Sequence, residues 1–222
     1  MTDSTHGTDD SSEQEIVLEV ACNVTDTLEQ AVELGEEDLL RVALLTLERV
    51  QIEESVEISL LVTDDDGLRE LNREFRGRDE ATDVLSFPLL DTPLVEAPAD
   101  ELWQLDEDDA VDVGDPGADG RGSWPSSDGQ RADDSDEDNE DDDSDEDDDD
   151  EDAPLHLGDI AISRDAVVRQ AAAAGHSVAW ECAYLFAHGL LHLMGYDDST
   201  DAGYQAMVAH QEAVLTEAHI TR

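Results

Sequence analysis

The sequence predicts an α+β fold, a single compact domain in which a mixed sheet of about four strands packs with about five helices. Two observations lead to this prediction. Short segments rich in β-branched and apolar residues occur between longer segments whose apolar residues recur at helical spacing. In addition, a strand-like segment at 157–163 follows a long acidic interruption, and it needs the earlier strands as its partners.

The first half of the predicted domain contains three strands and two helices. The residues before it, 1–14, are polar and acidic, and we expect them to be disordered. The helices are predicted from apolar residues at helical spacing, namely Leu40, Ala43, Leu44, Leu47 and Val50 in the first and Leu68, Leu71 and Phe75 in the second. The elements follow in the order strand 15–24, helix 36–52, strand 55–62, helix 67–75 and strand 82–89.

An acidic segment at about 91–154 interrupts this pattern. It contains five of the six prolines and the run DDSDEDNEDDDSDEDDDDED. Like charges at this density repel one another, and the segment has too few apolar residues to fold. We therefore interpret it as a disordered insertion within one domain that spans 15–222.

The second half of the domain begins with the strand LGDIAIS. An alanine-rich helix and a strongly apolar helix follow, and a last helix ends the pattern. The predicted ranges are strand 157–163 and helices 164–174, 178–195 and 202–219.

The charge of the chain is extreme, with a net value of −50 from 61 acidic and 11 basic residues, all of them arginine. Self-repulsion of this size is tolerated where counter-ions are plentiful. We therefore expect the cytoplasm of a halophile, the alternative being an ordinary acidic protein with a disordered acidic insertion. The N-terminus lacks the order of a signal peptide and no apolar run could span a bilayer, so a soluble protein without a membrane partner is expected.

A metal site is predicted where the strongly apolar helix ends. His188 and His192 are four residues apart, so both imidazoles lie on one helical face and can converge on one ion. Gly195 suits a helix C-cap, after which the chain can bring Tyr196, Asp197 or Asp198 back toward the histidines. Two helical histidines and a third ligand after a glycine turn, with a position open for water, are typical of a hydrolytic zinc site.

Alternatives to this interpretation remain at this point. A histidine in an apolar helix is often a core residue, and two at this spacing can also be structural. Among the other histidines, His210 and His219 are expected at the surface, His176 lies at a helix junction without an evident partner, and His156 adjoins a strand that could approach the site. A zinc protease is disfavoured because Gly189 stands where the H-E-x-x-H motif has its glutamate base.

The segment LRELNREFRGR contains four of the eleven arginines, Arg69, Arg73, Arg76 and Arg78. They could pair with the neighbouring acids Glu70, Glu74 and Asp79. They could also form an anion site, because guanidinium groups bind phosphate bidentately and stabilise charge that develops on a phosphoryl group.

Three blocks of the sequence together resemble the YbeY family of rRNA maturation factors, which are metal-dependent endoribonucleases. LNREFRGRDEATDVLSFP (71–88) is similar to that family's L-N-x-x-[FY]-R-x-x-D-x-x-T-D-V-L-S-F-P, LGDIAIS (157–163) to its L-G-D-I-x-I-S, and HGLLHLMGYDD (188–198) to its H-G-x-L-H-L-x-G-Y-D-H. The resemblance covers about residues 15–90 and 155–220.

The resemblance implies one Zn²⁺ per chain, held by His188, His192 and Asp198, with Arg76 as the catalytic or phosphate-contacting arginine. It implies single-stranded RNA as substrate, a role in 16S rRNA 3′-end processing and ribosome quality control, and the small ribosomal subunit as partner, with no DNA partner. A zinc metalloprotease-like hydrolase and a non-catalytic ribosome assembly factor with a structural metal are the alternatives.

The sequence departs from the family pattern at two places. Asp198 occupies the position of a third histidine, and a carboxylate binds zinc at a similar distance while favouring manganese and other oxygen-preferring metals more than imidazole does. The acidic insertion occupies a position where the family has a short connection, close to the expected RNA cleft.

Overall fold

The protein was analysed as a computed structural model that describes residues 14–25, 27–103 and 153–222. These residues form six helices and four strands, which are numbered here in chain order. The strands are β1 (Ile16–Cys22), β2 (Val56–Thr63), β3 (Val84–Pro88) and β4 (Leu155–Ser163). The helices are α1 (Leu28–Val32), α2 (Glu36–Arg49), α3 (Asp65–Arg76), α4 (Arg164–Ala174), α5 (Val178–Met194) and α6 (Asp201–Glu217).

The four strands form one mixed sheet in the order β1-β2-β4-β3. The pairs β1–β2 and β2–β4 are parallel, whereas β3 is an edge strand antiparallel to β4. The predicted four-stranded mixed sheet and α+β class are thus confirmed. The sequence predicts five helices, and the additional one is α1. It has only five residues, which is too short to produce a recognisable apolar period.

The main core lies on the face of the sheet that α5 and α2 cover, and α6 packs against these two helices. Ile160 and Ile162 of β4 are fully buried in this core. The opposite face carries α3, where a smaller buried cluster contains Leu68, Leu85 and Ala161. Side chains alternate along β3, so Leu85 and Phe87 face α3.

The apolar stripe of α2 differs from the predicted one by one position. Its buried residues are Leu39, Val42, Ala43, Thr46 and Leu47. Leu40 and Leu44, which the predicted stripe includes, are 37% and 38% exposed. Both stripes contain Ala43 and Leu47, so the helical period alone does not decide which flanking residues are buried.

Residues 91–103 are packed against the domain, which corrects the predicted start of the disordered insertion. Val95 is buried, and the amides of Leu94 and Val95 donate to the carbonyl of Met194. Leu102 forms a β-bridge with Tyr196. Residues 104–152 of the predicted insertion and residues 1–13 of the predicted disordered N-terminus lie outside the described residues. No helix among the described residues is both long and apolar enough to cross a membrane.

Candidate active site

The helix α5 presents two histidines at its C-terminal end. Ser177 caps its N-terminus, with the side-chain oxygen accepting from the amide of Trp180, and the helix ends at Gly195. Gly195 has a φ of 121°, and a Cβ at this position would lie 2.5 Å from Cβ of Pro93. Glycine is therefore needed both for the backbone conformation and for the close approach of residues 91–103.

Beyond Gly195 the chain turns back toward the helix, as predicted. Nε2 of His188 lies 3.0 Å from Nε2 of His192. The carboxylate of Asp198 completes the cluster, with Oδ2 3.7 Å from Nε2 of His188 and Oδ1 4.0 Å from Nε2 of His192. Among the described residues, these three form the group of histidine, cysteine and acidic side chains that could hold a metal ion.

The spacing of these atoms fits a zinc ion. Ligand atoms about 2.0–2.1 Å from a tetrahedral zinc lie about 3.3 Å from one another. The observed separations of 3.0, 3.7 and 4.0 Å bracket that value. The donor set of two imidazoles and a carboxylate is one that zinc uses in catalytic sites.

Each of the two imidazoles also has a hydrogen-bond partner outside the cluster. Nδ1 of His192 donates to the carbonyl of Tyr196 at 2.8 Å, which leaves Nε2 unprotonated in the neutral ring. His188 is hydrogen bonded to the side chain of Gln211. Because Nε2 of Gln211 donates to the carbonyl of Tyr184 at 3.2 Å, its Oε1 remains to accept from His188. Partners of this kind commonly orient metal-ligating histidines.

The charge state of His188 also suits a metal ligand. Burial lowers its pKa, and the neighbouring His192 lowers it further. Asp198 and the hydrogen bond to Gln211 raise the pKa of His188, but the net shift is still downward. His188 is therefore neutral at neutral pH, the form in which imidazole binds a metal.

Gly189 lies on the face of α5 that is turned to the sheet. A Cβ there would come within 2.9 Å of Cγ2 of Ile160 and 3.1 Å of Oγ of Ser86. A glutamate at this position would not fit without moving β3 or β4 away from the helix. The glycine that distinguishes the sequence from a zinc protease is thus required by the packing.

The four arginines between positions 69 and 78 fall into two groups, those with an acidic partner and those without one among the described residues. Arg69 forms a bidentate ion pair with Asp79 at 2.7 and 3.0 Å, and Arg73 pairs with Glu70 at 3.4 Å. Arg76, by contrast, donates from Nη2 to the carbonyl of Ser86 at 3.0 Å. Within residues 14–25, 27–103 and 153–222, neither Arg76 nor Arg78 forms an ion pair. The prediction that these arginines pair with neighbouring acids thus holds for Arg69 and Arg73. The positive charges of Arg76 and Arg78 have no acidic partner among the described residues.

Arg76 is connected to the histidines through β3. The strand packs against α5, and Ser86, whose carbonyl binds Arg76, faces Gly189, the residue next to His188. The structure thus brings α3, the edge of the sheet and the histidine end of α5 into one region.

The other histidines among the described residues lie outside this candidate metal cluster. His176 has an ion-pair partner that the sequence did not reveal, Glu181, at 3.2 Å. His210 was expected at the surface but is partly buried, and its ring packs against Tyr196 at a centroid distance of 5.2 Å. His219 is exposed as expected, and His156 lies on β4 opposite Glu57.

Two features of the site were not predicted. One is Gln211, which is 1% exposed and orients His188. Its sequence signal is its position four residues after Met207 on the buried stripe of α6, where an amide needs a partner. The other is Trp103, whose Nε1 donates to the carbonyl of His192 at 3.3 Å from within the predicted insertion.

Comparisons with known proteins agree with the resemblance seen in the sequence. The model of the family described as endoribonuclease YbeY matches residues 22–219. The chain is 35% identical over 178 residues to an endoribonuclease YbeY from Roseiflexus sp. (strain RS-1), covering 80% of this chain and 79% of the relative. It is 36% identical over 166 residues to the one from Moorella thermoacetica, covering 75% of each.

A third relative extends the match over more of the chain. The endoribonuclease YbeY of Desulforamulus reducens is 33% identical over 191 residues, covering 84% of this chain and 91% of the relative. A solution structure of a Thermotoga maritima protein also matches, with a TM-score of 0.45, 18% identity and coverage of 91% and 89% of the two chains. The extent and identity of the sequence matches show that the chain belongs to the YbeY family of endoribonucleases.

Proposed function

We propose that this protein is a zinc-dependent, single-strand-specific endoribonuclease that acts in 16S rRNA 3′-end processing and ribosome quality control. The observation that carries the proposal is the convergence of His188, His192 and Asp198 at the C-terminal end of the helix that packs against β3, the strand whose Ser86 carbonyl binds Arg76. Family membership supports ribonuclease activity, and this grouping supplies the groups that a metal-dependent phosphodiester hydrolysis needs.

One zinc ion would be held by His188, His192 and Asp198. In such a site the ion is a Lewis acid that polarises a phosphoryl oxygen and acidifies water. The two imidazoles are neutral ligands, so Asp198 contributes the negative charge of the set. That charge reduces the net positive charge of the site relative to three imidazoles, which favours harder metals such as manganese more than a three-histidine site does.

The side chains around the metal ligands would hold the substrate and the ligands in place. The carbonyl of Tyr196 and the amide of Gln211 keep the two imidazoles oriented toward Asp198. Arg76 is held through one Nη2 bond, and its other N–H groups are available to a phosphate. A guanidinium at this position stabilises the charge that develops on the phosphoryl oxygens during hydrolysis.

Asp197 is a poor candidate for the general base. Its carboxylate accepts from both the amide and the hydroxyl of Ser199, which fixes it in the turn. It is also outside the group of potential metal ligands. We therefore propose that bulk water or a substrate oxygen accepts the proton.

The principal alternative is a zinc protease-like hydrolase. A peptidase of that type needs a glutamate next to the first histidine, and the packing of Gly189 against Ile160 and Ser86 leaves no space for one. Incubation of the zinc-loaded protein with unstructured single-stranded RNA and with casein, at high salt, separates the two functions. We expect cleavage of RNA alone, and cleavage of casein without cleavage of RNA would contradict the proposal.

The second alternative is a non-catalytic ribosome assembly factor with a structural metal. Such a protein would bind small ribosomal subunits and leave RNA intact. The comparison of the wild type with Arg76→Ala tests it, because Arg76 is exposed and its loss should not unfold the domain. Cleavage by the wild type and its loss in the variant, with an unchanged circular dichroism spectrum, would exclude the assembly-factor alternative.

The acidic composition supports a cytoplasmic site of action in a salt-accumulating microbe. A net charge of −50 without a single lysine keeps the chain soluble where counter-ions screen the repulsion. High salt weakens non-specific attraction of phosphates to basic groups, so RNA recognition must depend on a small, shaped site. We expect both thermal stability and RNA cleavage to increase as KCl is raised from low to molar concentrations.

A further inference from the structure

We propose that Phe75 is the platform on which one unpaired base of the RNA substrate stacks, with Arg78 beside it as a phosphate contact. This inference rests on the proposed function, because it assigns the substrate nucleotide next to Arg76. It also gives a physical reason for selection of single strands, since a base in a duplex is already stacked on both sides.

The exposure of Phe75 is the first observation. Its side chain is 63% exposed, the highest value among the large apolar residues with high exposure, which are Leu40, Leu44, Phe75, Leu89 and Tyr204. Phe75 occupies the last turn of α3, where the small buried cluster under the helix has already ended. The ring of Phe75 therefore contributes little to the packing of the described residues.

A second aromatic ring holds Phe75 in place. Phe87 of β3 contacts it edge to face, with the ring centroids 5.2 Å apart and the ring planes at 62°. Because Phe87 is itself packed against the cluster around Leu85, it restrains the exposed ring from one side. A pre-oriented aromatic surface loses little conformational entropy when a base stacks on it.

The charge around the ring is the third observation. Arg76 follows Phe75 directly, and Arg78 lies two residues further on, just after the C-cap Gly77. Neither arginine forms an ion pair within the part of the chain that the structure describes. An exposed aromatic ring beside unpaired arginines is the arrangement by which proteins bind single-stranded nucleic acid, and it is notable in a chain with a net charge of −50.

The positions of Phe75 and Arg76 in the chain indicate which nucleotide of the RNA stacks on the ring. Phe75 and Arg76 are consecutive, and Phe87 and Ser86, their partners on β3, are consecutive as well. β3 is an edge strand, and no other strand of the described residues pairs with its outer side, so a strand of RNA can lie along it. The stacked base then belongs to the nucleotide at or next to the phosphate that Arg76 contacts.

The experiment combines protein variants with abasic substitutions in the RNA. Phe75→Ala, Phe75→Leu and Phe75→Tyr are compared with the wild type, and Leu40→Ala is the matched control for loss of an exposed apolar side chain on α2, which packs against β1, α5 and α6. The probe is an unstructured 12-nucleotide RNA labelled with fluorescein, in which one abasic nucleotide is moved along the strand. Binding is measured by fluorescence anisotropy and cleavage by gel electrophoresis, with zinc-loaded protein at high salt.

We expect Phe75→Ala and Phe75→Leu to weaken binding of the intact RNA about 5- to 150-fold, the range for loss of one aromatic stacking partner. Phe75→Tyr and Leu40→Ala should bind as the wild type does. A single abasic position should reduce wild-type binding to a similar degree and have no further effect on Phe75→Ala, since both changes remove the same contact.

Two results would overturn the inference. One is unchanged RNA binding by Phe75→Ala, which would leave the ring available for a protein partner. The other is a loss of RNA binding by Phe75→Ala, relative to the wild type, that has the same size wherever the abasic nucleotide stands. That result would indicate a general effect on the protein surface. Failure of the proposed function is recognised separately, because the wild type would then bind RNA without cutting it or would not bind RNA at all.

Discussion

Arg76 donates a hydrogen bond to the main-chain carbonyl of Ser86 at 3.0 Å, and Ser86 in turn faces Gly189, the neighbour of His188. The bond anchors the guanidinium to the edge strand of the sheet and uses only one of its five N–H groups. Arg76 is thereby bound to the strand that packs against α5, the helix that carries His188, although the two residues are 112 positions apart in the chain.

Replacement of Arg76 should abolish most RNA cleavage without loss of the fold. Arg76→Ala is expected to lower kcat by about 10²–10³-fold, the usual effect of losing one donor that stabilises developing charge. Arg76→Lys should recover only a small part, because an ammonium cannot bind the Ser86 carbonyl and a phosphate in the same forked geometry. Single-turnover cleavage measures the effect, and Arg41→Ala on the exposed side of α2 is the control. Wild-type rates in Arg76→Ala would contradict the assigned role.

The third ligand should govern metal preference. Asp198→His supplies an imidazole in place of the carboxylate and is expected to raise the affinity for zinc relative to manganese. Asp198→Ala should weaken the binding of both zinc and manganese. Competitive titration with a chromophoric chelator gives the two dissociation constants for each variant. An unchanged zinc-to-manganese ratio in Asp198→His would show that Asp198 is not a ligand.

The buried amide of Gln211 should contribute to metal affinity without touching the ion. Gln211→Leu removes the acceptor for His188 at nearly constant volume, and a 10- to 100-fold loss of zinc affinity is expected for a partner of this kind. Gln211→Glu retains an acceptor and should keep most of the affinity. Gln205→Leu, at an exposed position on the same helix, is the control. Equal zinc affinity in Gln211→Leu and the control would refute this role.

The two cysteines should differ sharply in reactivity. Cys182 of α5 is fully buried in the core, and burial raises the pKa of its thiol to about 12. Only the thiolate reacts with alkylating reagents, and a pKa of about 12 leaves about a thousandfold less thiolate at pH 8 than a free thiol has. Raising the pH from 7 to 9 should therefore leave Cys182 unlabelled.

Mass spectrometry after iodoacetamide treatment measures this difference. We expect one label, on the partly exposed Cys22, in the folded protein and two labels in denaturant. Two labels on the folded protein at pH 8 would show that α5 is not packed as described.

The sequence was sufficient to predict the elements that carry the site. His188 and His192 lie on one face of α5 because the helical period dictates it, and Gly195 ends the helix where the prediction requires a turn. The strand at 157–163 was correctly expected to pair with strands that precede a long interruption. These features depend on local patterns, which a sequence displays directly.

Other features of the site depend on contacts between distant residues. No local pattern shows that Trp103, within a segment predicted to be disordered, donates to the carbonyl of His192. His176 and Glu181 are only five residues apart, but their contact depends on the turn at Gly175, which places His176 beside the first turn of α5. The division of the arginines into paired and unpaired members also follows from where Asp79 lies in three dimensions.

The zinc content and RNA cleavage of the wild type and His188→Ala, measured on the same preparations, test the central claim most directly. His188→Ala removes one of three ligands while leaving the C-cap and Asp198 in place. We predict about one zinc per chain and cleavage of single-stranded RNA in the wild type, and loss of both in the variant. Equal zinc content in the two proteins, or undiminished RNA cleavage by the variant, would contradict a metal-dependent endoribonuclease site at His188, His192 and Asp198.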